Sequence, residues 1–171
     1  MVPYDRPVTE LRDELLVLRP MQVADPDALV AGLNDPDVGR IMPLVPVPYT
    51  RAAADAWIER CAGVWETGES FPFAILDAET EELLGSIELH GGGSTVGYWV
   101  RADVRGRGIA TRAVRLVCEW ATQRPLQLMT HPDNLASQRV AEKAGFRRIG
   151  TTRDHPAFSD GTREAVLFEL V

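Results

Sequence analysis

The feature that most constrains this chain is a change of period along it. Between Phe71 and Arg101 three strand-like runs, Phe71 to Asp77, Leu83 to His90 and Thr95 to Arg101, follow one another through an acidic turn and the Gly91-Gly92-Gly93 loop. Consecutive short strands with short turns imply an antiparallel meander. From Ile109 to Ala121 the period becomes helical, with Ala110, Val114, Val117 and Ala121 on one face. A meander therefore runs directly into a helix.

The flanking segments complete the pattern. Leu15 to Arg19 reads as a first strand stopped by Pro20. Asp25 before Pro26 gives an N-cap and a proline at the first helical position, starting a helix to about Leu33. Asp35-Pro36 repeats that signal for a short helix toward Ile41, and Met42 to Tyr49 is a proline-broken apolar loop able to move over a site. Thr50 caps a helix whose Ala54, Trp57, Ile58, Cys61 and Trp65 form one buried face, with Gly68 as its stop. Its tryptophans read as core.

Leu126 to Thr130 is a buried strand, and Asn134 caps a helix to Ala144, where Gly145 and Phe146 suit a left-handed end with its apolar contact. Asp160-Gly161 suggests a hairpin before the strand Glu164 to Leu170. The resulting order β, α, α, α, β, β, β, α, β, α, β predicts a mixed α/β (α+β) sheet. Residues 1–13 read as a loose leader, and residues 14–171 as a single domain.

Charge narrows the partners. With 18 Lys and Arg against 25 Asp and Glu the net charge is −7, which argues against a nucleic-acid binder and suits cationic or amine partners. The chain has no apolar leader and no run of 18 apolar residues, so no membrane partner and a cytoplasmic location are expected. Its two cysteines, Cys61 and Cys118, fall in apolar helical patterns and read as packed thiols. Oligomeric state is not legible, a homodimer being compatible with everything seen. Positive charge is concentrated locally: between positions 101 and 115, Arg101, Arg105, Arg107, Arg112 and Arg115 face only Asp103.

That local charge surrounds the loop Arg105-Gly106-Arg107-Gly108-Ile109-Ala110, which ends in a helix. A first helical turn leaves N–H groups without partners and carries partial positive charge, so glycines that admit a ligand closely create a phosphate cradle. Arg105 and Arg107 can add charge-assisted bonds. The Walker pattern fails because no Lys-Ser or Lys-Thr follows the second glycine. The dinucleotide pattern fails because the third glycine is missing.

The loop resembles the R-x-x-G-x-A signature of GNAT acetyltransferases, with Arg105, Gly108 and Ala110 at its defined positions. Asn134-Leu135-Ala136-Ser137 and Glu142-Lys143-Ala144-Gly145-Phe146 are similar to that family's N-x-x-S and E-K-x-G-F segment. The full order of elements, with Gly97-Tyr98-Trp99 and Asp35-Pro36-Asp37-Val38, resembles the RimJ/RimL-like branch. The resemblance implies a central, mostly antiparallel sheet with splayed parallel strands at a coenzyme A site. It implies acetyl-CoA as donor and a protein N-terminus or small amine as acceptor.

It also implies roles for residues. Trp99, Val100 and Arg101 would offer backbone to the pantetheine, and Arg105, Gly106, Arg107, Gly108, Ile109 and Ala110 would hold the diphosphate. Asn134 would reach a pantetheine amide, and Ser137 would donate to the leaving thiolate. Two departures stand out. Many relatives carry a tyrosine as general acid four residues after the Ser137 position, where this chain has Ala141, so Ser137, water or Tyr98 must serve. Arg112 stands where that branch usually has glutamate.

Amide formation needs a neutral amine. Deprotonating a lysine-like amine at pH 7 costs roughly 4 to 5 kcal/mol, whereas a protein α-amine costs only about 1. Glu88 is the candidate base, because Ser86, Glu88 and His90 share one face of the strand beside the cofactor strand. His90 is a second choice. His131 and Asp133 follow the penultimate core strand, and His155 lies in the loop before the last strand; such separated histidines suggest no metal site. Direct acetyl transfer in a ternary complex is expected. The rivals are a non-catalytic acyl-CoA sensor and an acetyltransferase acting on a polyamine or aminoglycoside-like polycation.

Overall fold

The computed structural model of the chain describes residues 10–171. Most of the expected leader lies outside the described residues, but its end is ordered: Leu11–Arg12 form β1 and pair antiparallel with β2 (Leu16–Pro20). Three helices follow, α1 (Pro26–Leu33), α2 (Pro36–Ile41) and α3 (Arg51–Thr67). The meander is β3 (Phe71–Asp77), β4 (Leu83–His90) and β5 (Thr95–Val100). After a 3-10 turn come α4 (Ile109–Trp120), β6 (Leu126–Thr130), α5 (Leu135–Lys143), β7 (Arg147–Thr152) and β8 (Ala165–Leu170). The strands form one eight-stranded sheet in the order β1-β2-β3-β4-β5-β6-β8-β7.

Local chemistry explains the boundaries. Thr50 accepts from the Ala53 amide at 3.2 Å, and Gly68 ends α3 at φ 70°. Asp25 departs from its expected role. Its side chain makes no cap on α1 but takes a two-pronged bond from Arg19 at 2.9 Å and one from the Gln22 amide at 2.7 Å. The carboxylate is buried, so a fixed cation satisfies it better than one capping amide could.

The Asp160-Gly161 turn exists, with Gly161 at φ 87°, and lies in the connection between two paired antiparallel strands, though not as a tight two-residue hairpin. It sits inside a longer loop, 153–164, and the partner of β8 is β7, which the sequence pattern missed. The strand Arg147–Thr152 is an exposed sheet edge with two arginines and a register shift near Gly150, so it lacks the alternation of a half-buried strand.

Two apolar layers cover the sheet. Leu16, Leu18, Phe71, Phe73, Ile75, Ile87, Leu89, Val96 and Val100 pack on α4, including Val114, Val117 and Cys118, and on Ala141 of α5. Ala74, Leu76, Leu83 and Trp99 pack on the other face against Leu29 and Leu33 of α1 and Ala54 and Ile58 of α3. Trp65 is edge-on to Phe71 and Phe73 at 5.1 and 5.0 Å, as the core reading requires.

Candidate active site

The meander strands pair along their lengths, but β5 and its parallel neighbour β6 do not. They share only Thr95↔Gln127 and Val96↔Leu128. Beyond Val96 they part, while β6 keeps its pairing with β8 on its other side through Thr130. Arg101 N donates to Leu84 O at 2.8 Å, while Ser94 O accepts from Gln127 N at 2.8 Å. Since backbone groups alternate along a strand, odd residues of β5 bond toward β4 and even ones face β6. Tyr98 and Val100 thus aim their amides into the opening. Of the residues expected to line it, Val100 does so. Trp99 and Arg101 face β4, and Tyr98 joins Val100.

At the wide end of the opening lies the glycine loop. Gly106 (φ 77°) and Gly108 (φ 80°) adopt left-handed backbone, and a Cβ at either would meet no atom within 4 Å. No side chain caps α4, and among the described residues no amide from Gly106 to Thr111 finds an acceptor inside the protein. Such a cluster of free donors at a helix start suits a diphosphate. Arg107 is exposed and makes one long bond to Asp103 O at 3.3 Å. Arg105 is engaged elsewhere: its Nε donates to Val100 O at 3.0 Å, and it forms ion pairs with Asp35 and, at 3.6 Å, with Asp37. Arg101 is held by Glu82 and Asp103, away from the opening. Arg112 reaches Asp13 at 2.8 Å and pins the β1–β2 turn to α4.

The α4 side of the opening carries the hydroxyls. Tyr98 OH lies 2.7 Å from Ser137 Oγ, so whichever donates, one O–H remains free. Burial pushes the Tyr98 phenol up to about 12, a rise that the Ser137 bond partly offsets. Ala141 is fully buried against the core, so nothing at that position reaches the site. Asn134 Oδ1 accepts from the Ser137 amide at 3.1 Å, making the expected cap, and its Nδ2 has no partner among the described residues.

Glu88 occupies the opposite face. It sits across from Gly97 and Pro72, on the side of Ser86 and Trp99, with 15% of its side chain exposed. Its Oε1 is 3.4 Å from His90 Nδ1. His131 is buried: the Asp133 amide donates to its Nδ1 at 3.0 Å, so Nε2–H donates to Asp160 at 3.0 Å. This bond ties loop 153–164 to the end of β6, and Asp160 also lies 4.0 Å from Arg40 of α2. His155 packs on Phe158 in the same loop, ring centroids 5.0 Å apart. A cleft of about 640 Å³ lined by Gly32, Asp35, Leu83 and Arg101 holds neither the hydroxyl pair nor Glu88. Both cysteines are buried and free, their thiols pushed up to about 12 by burial, which leaves them poor nucleophiles.

Sequence reasoning missed the tie between Tyr98 and Ser137. Its signal was present: even positions of β5 share the α4 face, and Ser137 stands in the first turn of the helix packed there.

A helix start with free amides beside a parted strand pair suits a coenzyme-A-dependent acyltransferase. The sequence profile of the acetyltransferase (GNAT) domain matches residues 16–147, and the chain belongs to that family. The uncharacterized N-acetyltransferase p20 of Bacillus licheniformis is 25% identical over 170 residues, spanning 94% of this chain and 95% of that protein. Two solved structures share the fold. MccE, the microcin C7 self-immunity acetyltransferase bound to acetyl-CoA and AMP, aligns with a TM-score of 0.82 at 15% identity over 93% of both chains. RimL, the ribosomal L7/L12 α-N-protein acetyltransferase bound to coenzyme A, gives 0.82 at 14% identity over 95% of this chain and 97% of its own. Among the described residues no helix is long and apolar enough to cross a membrane.

Proposed function

We propose that residues 14–171 act as one acetyltransferase unit that passes acetyl from acetyl-CoA directly to a primary amine held in the same complex. The observation that carries this reading is the opening beyond Val96, with the Tyr98–Ser137 pair on one face and Glu88 on the other. Acetyl-CoA supplies a thioester carbonyl. The amides of residues 106–111 and the charge of Arg107 hold its diphosphate, Tyr98 and Val100 offer backbone to its amide-bearing arm, and Asn134 Nδ2 offers a further donor.

Glu88 takes the proton, directly or through water, as the amine nitrogen bonds to the carbonyl carbon. The carbon–sulfur bond breaks, and the free O–H of the Tyr98–Ser137 pair donates to the departing sulfur. A phenol at about 12 is a poor source of a whole proton for a thiolate near 8.5, a transfer uphill by about 5 kcal/mol. The pair therefore stabilises the thiolate by hydrogen bonding. With both cysteines buried and unreactive, no thiol among the described residues invites a covalent acyl step.

The acceptor is an α-amine of a peptide or a small amine, and the reaction takes place in the cytoplasm. The acidic balance of the chain suits a cationic acceptor. The sensor reading loses its motive once Tyr98 supplies the hydroxyl that Ala141 lacks. Release of free thiol from acetyl-CoA, followed over a panel of N-terminal peptides, polyamines and aminoglycosides, tests the proposal. A saturable rise with one acceptor class, matched by a single-acetyl mass shift, is expected; tight acetyl-CoA binding with no thiol release across the panel would refute it.

A further inference from the structure

We infer that Asp35 is a positioning residue for the cofactor loop, and that Arg105 is a strut between that loop and the α1–α2 junction instead of a phosphate ligand. The inference rests on the assignment of residues 105–110 to the diphosphate. The Arg105 guanidinium is engaged within the protein: Nε donates to Val100 O at 3.0 Å, and ion pairs reach Asp35 and, at 3.6 Å, Asp37. The pairing is partly shielded, with 15% of the Asp35 side chain and 38% of the Arg105 side chain exposed. A guanidinium already shared between two carboxylates and a carbonyl has little net charge to offer an anion. The phosphates would have to pull it from Asp35, leaving a half-buried carboxylate uncompensated.

The strut continues beyond the ion pair. Asp35 Oδ1 accepts from the Asp37 amide at 3.0 Å and so caps α2, while Oδ2 faces Arg105. Asn34, the preceding residue, exchanges two bonds with Tyr49: its Nδ2 donates to Tyr49 O at 2.8 Å, and its Oδ1 accepts from Tyr49 N at 2.9 Å. Those bonds close the base of loop 42–49. Polar contacts on the neighbouring residues Asn34 and Asp35 thus join the cofactor loop to the segment able to move over a site. Filling the cradle should order both, and by linkage an ordered segment should favour the cofactor.

The two roles for Arg105 predict opposite signs. The substitution D35N keeps the cap on α2, since asparagine caps as well as aspartate, and so removes only the ion pair. If Arg105 is a strut, D35N weakens acetyl-CoA binding about threefold, the scale expected of a partly exposed pair. R105Q then weakens it by a similar factor, and the double variant is no worse than the weaker single one. If Arg105 is a phosphate ligand, D35N frees it and binding tightens or stays unchanged, which overturns the inference. Hydrogen exchange on the unsubstituted chain gives an independent reading. Acetyl-CoA should protect amides 36–49, and that protection should vanish in R105Q; no protection in the unsubstituted chain, or full retention in R105Q, also overturns it. G108D separates the two levels of the argument. If that variant binds acetyl-CoA normally the loop assignment itself fails, whereas loss of binding there with tighter binding in D35N removes the strut alone.

Discussion

In the proposed reaction the chemistry turns on Tyr98, because one strand position serves two purposes. Its backbone faces the opening, and its phenol, 2.7 Å from Ser137, supplies the hydroxyl missing at Ala141. Y98F and S137A are each expected to lower kcat about tenfold to a hundredfold with little change in the KM for acetyl-CoA, and the double variant should be scarcely slower, since the pair acts as a unit. Steady-state kinetics checks this. The phenol also gives a pH prediction. Its folded-state value of about 12 exceeds the ordinary value near 10, so the stability it contributes is complete below pH 10 and lost between about 10 and 12. Alkaline unfolding of Y98F should therefore begin at higher pH, as read by circular dichroism. Glu88→Gln should slow transfer most for acceptors of high pKa and least for α-amines, and raising the pH should recover much of the loss. Gly108 permits a comparison of charge alone, because asparagine and aspartate tolerate its left-handed backbone about equally. Acetyl-CoA should bind G108D at least tenfold more weakly than G108N in a calorimetric titration.

At the scale of elements, α4 is joined to the start of the sheet by Arg112, which bonds Asp13 at 2.8 Å and lies 3.5 Å from Glu14. R112E would bring a third carboxylate to that turn. A lower Tm is expected in a thermal melt. Where side chains dictate backbone, the elements were legible beforehand: Thr50 and Gly68 bound α3, Asn134 and Gly145 bound α5, and the glycine loop opens α4. What escaped was set by packing that a local pattern does not show. The strand β7 shows no apolar alternation because it is an exposed edge, and Asp25 looks like a cap until Arg19 is brought to it. The candidate site divides in the same way. Its loop and Ser137 could be read locally, whereas the Tyr98–Ser137 bond and the Arg105–Asp35 pair required the packed sheet.

For the whole molecule, the proposed reaction depends on the departure of β6 from β5. That departure leaves strand donors unpaired, joins the face bearing Glu88 to the face bearing the hydroxyls, and leads to the free amides at the start of α4. The measurement that tests this most directly is a titration of the isotopically labelled chain with coenzyme A, followed through its backbone amide resonances. The account predicts that the largest shifts fall on residues 106–111 and on Tyr98 and Val100, and that they shrink when the ligand lacks the diphosphate. Saturable binding that leaves the amides of residues 106–111 unmoved would contradict it.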